Sequence, residues 1–221
     1  MRTAEHPFVF IGCVELRQAL DRQARDEREL MDRLEEVPVG SVFYHTHGYF
    51  LRHRPLTTAW GNDFARWVAV EVRDLALAER LSVVDPFEFR GLDELREEMV
   101  TIIHDHLRRL GTVPRADEGA IFHFQQSHIV QVALGPRAST LAEFRDGLAA
   151  VDASAIYFHM VEARARLGRR SGDFAEWLRT SLGLDALAER IERLDTYMTN
   201  LERVRARVLS IVDEALEAQD A

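Results

Sequence analysis

The sequence contains no lysine, and all 28 of its basic residues are arginine. This absence excludes enzymes that form a Schiff base through lysine, including pyridoxal-phosphate enzymes, and it excludes nucleotide hydrolysis by a P-loop lysine. Cys13 is the only cysteine, so an internal disulfide, a Cys-x-x-Cys redox pair and an all-cysteine zinc site are also excluded. Several large classes of enzyme therefore do not fit this chain.

Glycine motifs and long apolar runs are missing as well. No Gly-x-Gly-x-x-Gly or Gly-x-Ser-x-Gly is present, which removes the usual motifs of dinucleotide binding and of hydrolase nucleophiles. No apolar run approaches the ~20 residues of a membrane span, and residues 1–7 have too few apolar side chains for a signal peptide. The formal net charge of -9 argues against nucleic-acid binding. We therefore expect a cytoplasmic protein that binds neither membranes nor nucleic acids.

An internal repeat is the main feature that the sequence does contain. The segment SVFYHTH at 41–47 recurs as AIYFHMV at 155–161, an offset of 114 residues that extends back to Phe8 and Phe122. Beyond the histidines the offset becomes 110, where DFARW at 63–67 matches DFAEW. These matches predict a duplication with a first repeat at 1–112 and a second at 113–221, packed as one globular body.

Local patterns predict the elements of each repeat. Alternating aromatic and β-branched residues predict a strand that starts at Phe8 and another that starts at Phe122. Capping boxes predict helices at 27–36 and 141–150, and the two histidine segments are predicted to be helical. Asp63 and Asp173 are predicted to cap the helix that follows each histidine segment. The expected fold is mainly α (α+β), with two similar helical repeats related by a pseudo-two-fold and a small β element from the start of each repeat.

His45 and His159 are the only histidines that match between the repeats, and two interpretations fit them. In the first they bind a divalent transition metal together with His47 and Glu162, since imidazole and carboxylate groups suit Zn, Fe or Mn. In the second they are core histidines, hydrogen-bonded between aromatic neighbours. The spacing gives the second more weight, because His45 and His47 lie about 200° apart on a helix and cannot both face one ion. Glu162 lies one turn from His159 and can share its face.

A second group of histidines, His104 and His106 with Asp105 between them, lies at the end of a long predicted helix. Cationic side chains at that end complement the helix dipole. We interpret this group as helix-end electrostatics, and a binding site is the alternative.

The motifs above resemble those of a known family. The residues that carry the resemblance are Phe8-Val9-Phe10, Tyr44-His45-Thr46-His47, Tyr157-Phe158-His159 with Glu162-Ala163-Arg164, the two Asp-Phe segments at 63 and 173, and Ala78-Glu79-Arg80. They are similar to a bacterial and archaeal family catalogued only as a domain of unknown function, over nearly the whole chain. Some members are associated with trehalose-synthase-like glycosyltransferases. The resemblance implies a role alongside carbohydrate metabolism, and it transfers no catalytic residues.

Two hypotheses about function follow. The first is a non-catalytic interaction or regulatory module, whose partner would be a protein such as a carbohydrate-active enzyme. The second is a metal-dependent enzyme with a histidine and carboxylate site drawn from the two repeats. No complete catalytic motif in the sequence decides between them.

Overall fold

The computed structural model describes residues 2–52, 60–164, 171–196 and 199–220. Across these residues the fold is α+β, with one two-stranded sheet and many helices. Within the same ranges, no helix combines the length and the apolar character needed to span a membrane.

The strands β1 and β2 pair with each other and begin at the predicted residues: β1 is Phe8–Ala24 and β2 is Phe122–Ala138. The helices between them are α1 (Glu27–Glu36), α2 (Val39–His45), α3 (His47–Arg52), α4 (Asp63–Trp67), α5 (Leu75–Ser82) and α6 (Leu92–Leu107). Those after β2 are α7 (Leu141–Ala150), α8 (Ala153–Ile156), α9 (Asp173–Leu182), α10 (Asp185–Glu192) and α11 (Leu201–Asp220). The helix α4 continues as a π-helical turn at Val68–Val72, and α8 continues as one at Tyr157–Glu162.

The predicted capping boxes form, and they set the bounds of α1 and α7. The Asp26 carboxylate accepts the Glu29 backbone N–H at 2.9 Å, and the Thr140 hydroxyl accepts that of Glu143 at 3.2 Å. Each glutamate then accepts a backbone N–H from the residue before the cap. Because these bonds satisfy donors that a helix start leaves unpaired, both helices begin where the sequence predicts.

The prediction that Asp63 and Asp173 are the caps is wrong. The cap of α4 is Asn62, whose side-chain oxygen accepts the Ala65 backbone N–H at 2.8 Å, and the cap of α9 is Gly172. Both aspartates are the first residue of their helix instead. Their carboxylates are therefore available for a contact outside the helix.

The β element is also longer than the small one predicted, because each strand has 17 residues. Most side chains in the middle of β1 are exposed, and several of these are charged, including Arg17, Asp21 and Arg22. Such a segment lacks the apolar alternation that reveals a strand in sequence. It forms a strand through backbone pairing with β2.

The described chain divides into two compact units, each with its own core. Unit 1 comprises Met1–Val14 and Ile129–Ala221, and unit 2 comprises Glu15–His128. Each unit thus combines the helices of one predicted repeat with the start of a strand from the other. These bounds differ from the repeats at 1–112 and 113–221, which remain a prediction about the sequence.

Aromatic residues from the strand starts fill both cores. In unit 2 the Phe122 ring lies 5.4 Å from Phe64 and 5.5 Å from Trp67. In unit 1 the Phe8 ring lies 5.5 Å from both Phe174 and Trp177. The aromatic pattern that predicts the strands therefore also specifies how each strand packs on helices that are distant in sequence.

Candidate functional site

His45 lies at the end of α2 in unit 2, and both of its ring nitrogens are hydrogen-bonded. Nδ1 lies 2.9 Å from Oδ2 of Asp63, and Nε2 accepts the backbone N–H of Gln125 on β2 at 3.1 Å. The ring is 3% exposed and packs between Phe64 and Phe122, with ring centroids 5.2 and 4.8 Å away. The histidine thus joins a helix start to a strand backbone.

These bonds fix the proton on the His45 ring. Since a backbone N–H only donates, Nε2 is the acceptor and Nδ1 carries the proton that is donated to Asp63. Burial lowers the pKa of His45, and this effect outweighs the opposing effect of Asp63. His45 is therefore neutral at pH 7, and its one lone pair is already occupied by the Gln125 N–H.

Arg52 completes the surroundings of His45. Its Nη2 donates to Asp63 Oδ2 at 2.5 Å and to the Tyr44 carbonyl at 2.9 Å, and its guanidinium lies 3.8 Å from the centre of the Tyr44 ring. Nη1 also reaches Glu15 on β1 at 3.4 Å. The Asp63 carboxylate thus contacts both His45 and Arg52.

His159 makes the same pair of hydrogen bonds in unit 1. Nδ1 lies 2.9 Å from Oδ2 of Asp173, and Nε2 accepts the backbone N–H of Ile11 on β1 at 2.9 Å. Phe174 and Phe8 flank the ring at 5.2 and 4.8 Å. His159 too is a core histidine, and its Nε2 lone pair is occupied by a strand N–H.

The other two predicted ligands have different surroundings. His47 is 4% exposed, stacks on Phe43 at 5.1 Å and has Nδ1 3.1 Å from the Thr46 hydroxyl. Burial lowers its pKa to about 3. Glu162 ends the π-helical turn after α8 and is partly exposed.

The metal role of His45, His47, His159 and Glu162 stays a prediction, and the contacts favour the core interpretation. The hydrogen bonds of His45 and His159 already use both nitrogens of each ring. A metal ion at Nε2 of either ring would have to displace the strand N–H that the nitrogen accepts, at the cost of that hydrogen bond.

A groove of about 670 Å³ in unit 2 borders this histidine. Arg17, Arg66 and His123 line it with exposed side chains, and Arg52, Asp63 and Glu71 line it with less exposed ones. Arg52 and Asp63 neutralise one another, and no ion pair with a described residue involves Arg17 or Arg66. The groove therefore offers two cationic groups to a polar ligand.

Comparison with known proteins gives the family. The model of a family of unknown function, DUF5752, matches residues 5–213. The chain belongs to the DUF5752 family. A solved structure, that of OrfY from Thermoproteus tenax, is similar with a TM-score of 0.83 and 30% sequence identity, over 96% of this chain and 97% of that chain. No curated protein matches.

Two groups in this DUF5752 protein differ from the sequence interpretation. His106 does not simply face solvent at a helix end, because Nε2 lies 2.8 Å from Oδ2 of Asp74, the cap of α5. His104 is 55% exposed beside Asp105, as expected of helix-end electrostatics. The ion pairs of Arg52 with Asp63 and Glu15 were not predicted, because both partners are far from Arg52 in sequence. The best available indication of the contact with Asp63 was the match of Asp63 to Asp173 in the second repeat.

Proposed function

We propose that this protein is a non-catalytic interaction or regulatory module. The observation that carries the proposal is the hydrogen bonding of His45 and His159, which commits both rings to holding strand backbone in place. A general base needs an unoccupied lone pair within reach of a substrate proton, and neither ring offers one. The histidines that match between the two repeats, His45 and His159, therefore stabilise the fold. The functional residues of the module lie on its surface.

We further infer that the chain arose by internal duplication, with a pseudo-two-fold relation between the repeats. Matched contacts support this inference. The Trp67 indole N–H donates to the Ala120 carbonyl at 2.7 Å, and the Trp177 indole N–H donates to the His6 carbonyl at 2.9 Å. All four residues correspond under the same offsets of 110 and 114 that align the sequence halves.

The groove in unit 2 is proposed to bind a sugar phosphate. Its exposed Arg17 and Arg66 suit the phosphate, because guanidinium groups bind phosphate oxygens through paired N–H donors. Asp63, Glu71 and Gln125 supply oxygens that accept from sugar hydroxyls. A carbohydrate ligand agrees with the role alongside carbohydrate metabolism that the family resemblance implies, and such binding would regulate a carbohydrate-active enzyme as partner.

Isothermal titration of the full chain with glucose 6-phosphate tests the ligand. The variant Arg66→Ala removes a cation from the groove, and Arg203→Ala removes an equally exposed arginine from α11 as the matched control. Saturable binding that Arg66→Ala weakens about tenfold and Arg203→Ala leaves unchanged is expected. Equal binding by all three proteins would refute the groove as the site.

A pull-down from the native host tests the partner. Recovery of a carbohydrate-active enzyme, with recovery reduced by Arg66→Ala, is the expected result. Absence of any such enzyme, together with absence of sugar-phosphate binding, would overturn the proposed module.

A further inference from the structure

Three ionisable side chains from three helices converge in unit 2. Glu27 opens α1, Asp74 caps α5 and His106 lies near the end of α6. One ligand atom from each residue lies within 4.8 Å of the other two. Nε2 of His106 is 2.8 Å from Asp74 Oδ2 and 3.9 Å from Glu27 Oε2. We call this group the Glu-Asp-His cluster.

Glu27 is the unusual member of the cluster. It is 0% exposed, and neither of its carboxylate oxygens has a hydrogen-bond partner among the described residues. Burial, followed by the nearby Asp74 charge, raises the pKa of Glu27 to about 8. A buried carboxylate without a donor is costly, so either a proton or a cation must neutralise it.

We propose that the Glu-Asp-His cluster binds a divalent transition-metal ion of the Zn²⁺ or Mn²⁺ class. Bonds of about 2.0–2.2 Å place adjacent ligand atoms about 3 Å apart, close to the observed separation of His106 and Asp74. Two carboxylates balance the charge of the ion, and the imidazole favours a transition metal over Mg²⁺ or Ca²⁺. The ion takes the place of the proton between Nε2 of His106 and Asp74.

The corresponding positions of the second repeat are apolar. Under the repeat offsets, Glu27 aligns with Leu141, and Asp74 aligns with Leu184. In the last helix of each repeat the offset becomes 109, and His106 aligns with Ala215. Leu141 opens α7 as Glu27 opens α1, and it is 2% exposed. The helices of the second repeat thus form without charged groups at the three corresponding positions. This comparison rests on the proposed duplication, whereas the geometry of the cluster does not.

The cluster is suited to a structural ion. The side chains of Asp74 and His106 are 13% and 12% exposed, and Glu27 is fully buried, which leaves little access for a substrate. An ion held there ties together the ends of α1, α5 and α6. Its effect is therefore stabilisation of unit 2, independent of any ligand in the groove.

The test uses the full-length protein after removal of metal with a chelator. Zn²⁺ and Mn²⁺ are titrated separately by calorimetry, and the thermal midpoint is recorded with and without each ion. The variants are Glu27→Gln, which keeps the shape and removes the charge, and His106→Gln. His104→Gln is the control, since it removes a histidine from the same helix that lies outside the cluster.

Wild type and His104→Gln are expected to bind one ion per chain and to gain about 5 °C or more in Tm. Both cluster variants are expected to lose affinity by about 100-fold or more. With Co²⁺ as a spectroscopic probe, visible absorption bands should appear in wild type and weaken in His106→Gln. Because Glu27→Gln places a neutral side chain of the same size at this buried position, it is expected to fold, and it keeps the test decisive if His106→Gln does not fold.

Two results would overturn the proposal. One is the failure of wild type to bind either ion, in which case a proton neutralises the cluster. The other is equal binding by wild type and Glu27→Gln, which would place the ion elsewhere. Neither result bears on sugar-phosphate binding in the groove, so the two proposals fail separately.

Discussion

Arg73 and Gly183 adopt the same left-handed backbone conformation, with φ of 66° and 61°. Each follows the end of a helix, and the next residue donates its N–H back into that helix: Asp74 to the Val68 carbonyl at 3.2 Å and Leu184 to the Leu178 carbonyl at 3.0 Å. Glycine adopts this conformation without a steric penalty, whereas arginine does not. The first half of the chain therefore carries local strain that the second half avoids.

The variant Arg73→Gly is expected to stabilise the protein by about 0.5–1 kcal/mol, since relief of the left-handed strain exceeds the added entropy of the unfolded chain. The reciprocal variant Gly183→Ala is expected to lose about 1 kcal/mol, and its new Cβ would also lie 3.1 Å from Arg2 Nη1. Urea unfolding measures both changes. A loss of stability in Arg73→Gly would show that the contacts of the arginine side chain stabilise the protein by more than its left-handed backbone conformation destabilises it.

Replacement of either core histidine is expected to destabilise the protein strongly. His45→Phe keeps the aromatic packing but leaves the Gln125 N–H without its acceptor, and His159→Phe does the same to the Ile11 N–H. A cost of about 2–4 kcal/mol is expected for each variant. The exposed His123→Ala serves as the control and should change stability by less than about 0.5 kcal/mol. Chemical denaturation that found His45→Phe as stable as wild type would argue that the ring has a functional role rather than a structural one.

His47 is expected to make the protein sensitive to acid. Its pKa is about 3 in the folded state and 6.5 ordinarily, so between these values the unfolded chain binds a proton that the folded chain does not. Stability contributed by the neutral ring is therefore present above pH 6.5 and is lost as the pH falls, by about 3 kcal/mol at pH 4 relative to pH 7.

The variant His47→Phe should remove this contribution while keeping the stacking on Phe43. The free energy of unfolding of both proteins is measured from pH 7 to pH 4, and their difference isolates the histidine from the carboxylates that titrate in both. Parallel pH profiles would contradict the expectation.

Fragments of the chain are expected to follow the compact units and not the repeats. A fragment of residues 1–112 lacks Phe122, Phe124 and the Gln125 N–H that accompany His45 in the core of unit 2, and it should be insoluble or molten. A fragment of residues 15–128 retains all of them and should melt cooperatively. Calorimetry and circular dichroism measure whether each fragment unfolds cooperatively. A cooperative transition of the 1–112 fragment would refute the conclusion that the core of unit 2 requires the start of β2.

Local signals in the sequence predicted much of the fold. The bounds of α1 and α7 follow from capping boxes, because every partner of Asp26 and Thr140 in those boxes lies within four residues. The strand starts followed from the aromatic pairs that begin at Phe8 and Phe122. In each case the physical cause was present within a short window of sequence.

Contacts between distant residues could not be predicted in the same way. Asp63 was interpreted as a cap, since nothing in its local sequence indicates a bond to His45, 18 residues away. Glu27 lies in the first turn of a helix, where acidic residues are common, and nothing in its local sequence indicates that it is buried. The alignment of Glu27 with Leu141 was the one indication of this burial in the sequence. A charged residue that aligns with a leucine of the other repeat points to an unusual environment.

The composition of unit 1 has a consequence for synthesis on the ribosome. Phe8 is synthesised more than 160 residues before Phe174 and Trp177, the aromatic residues against which it packs. At synthesis rates of about 5–20 residues per second this interval is on the order of ten seconds. Unit 2 is complete once His128 has been synthesised and can fold during that time, whereas Phe8 has no partner for its ring in unit 1 until Phe174 and Trp177 have been synthesised.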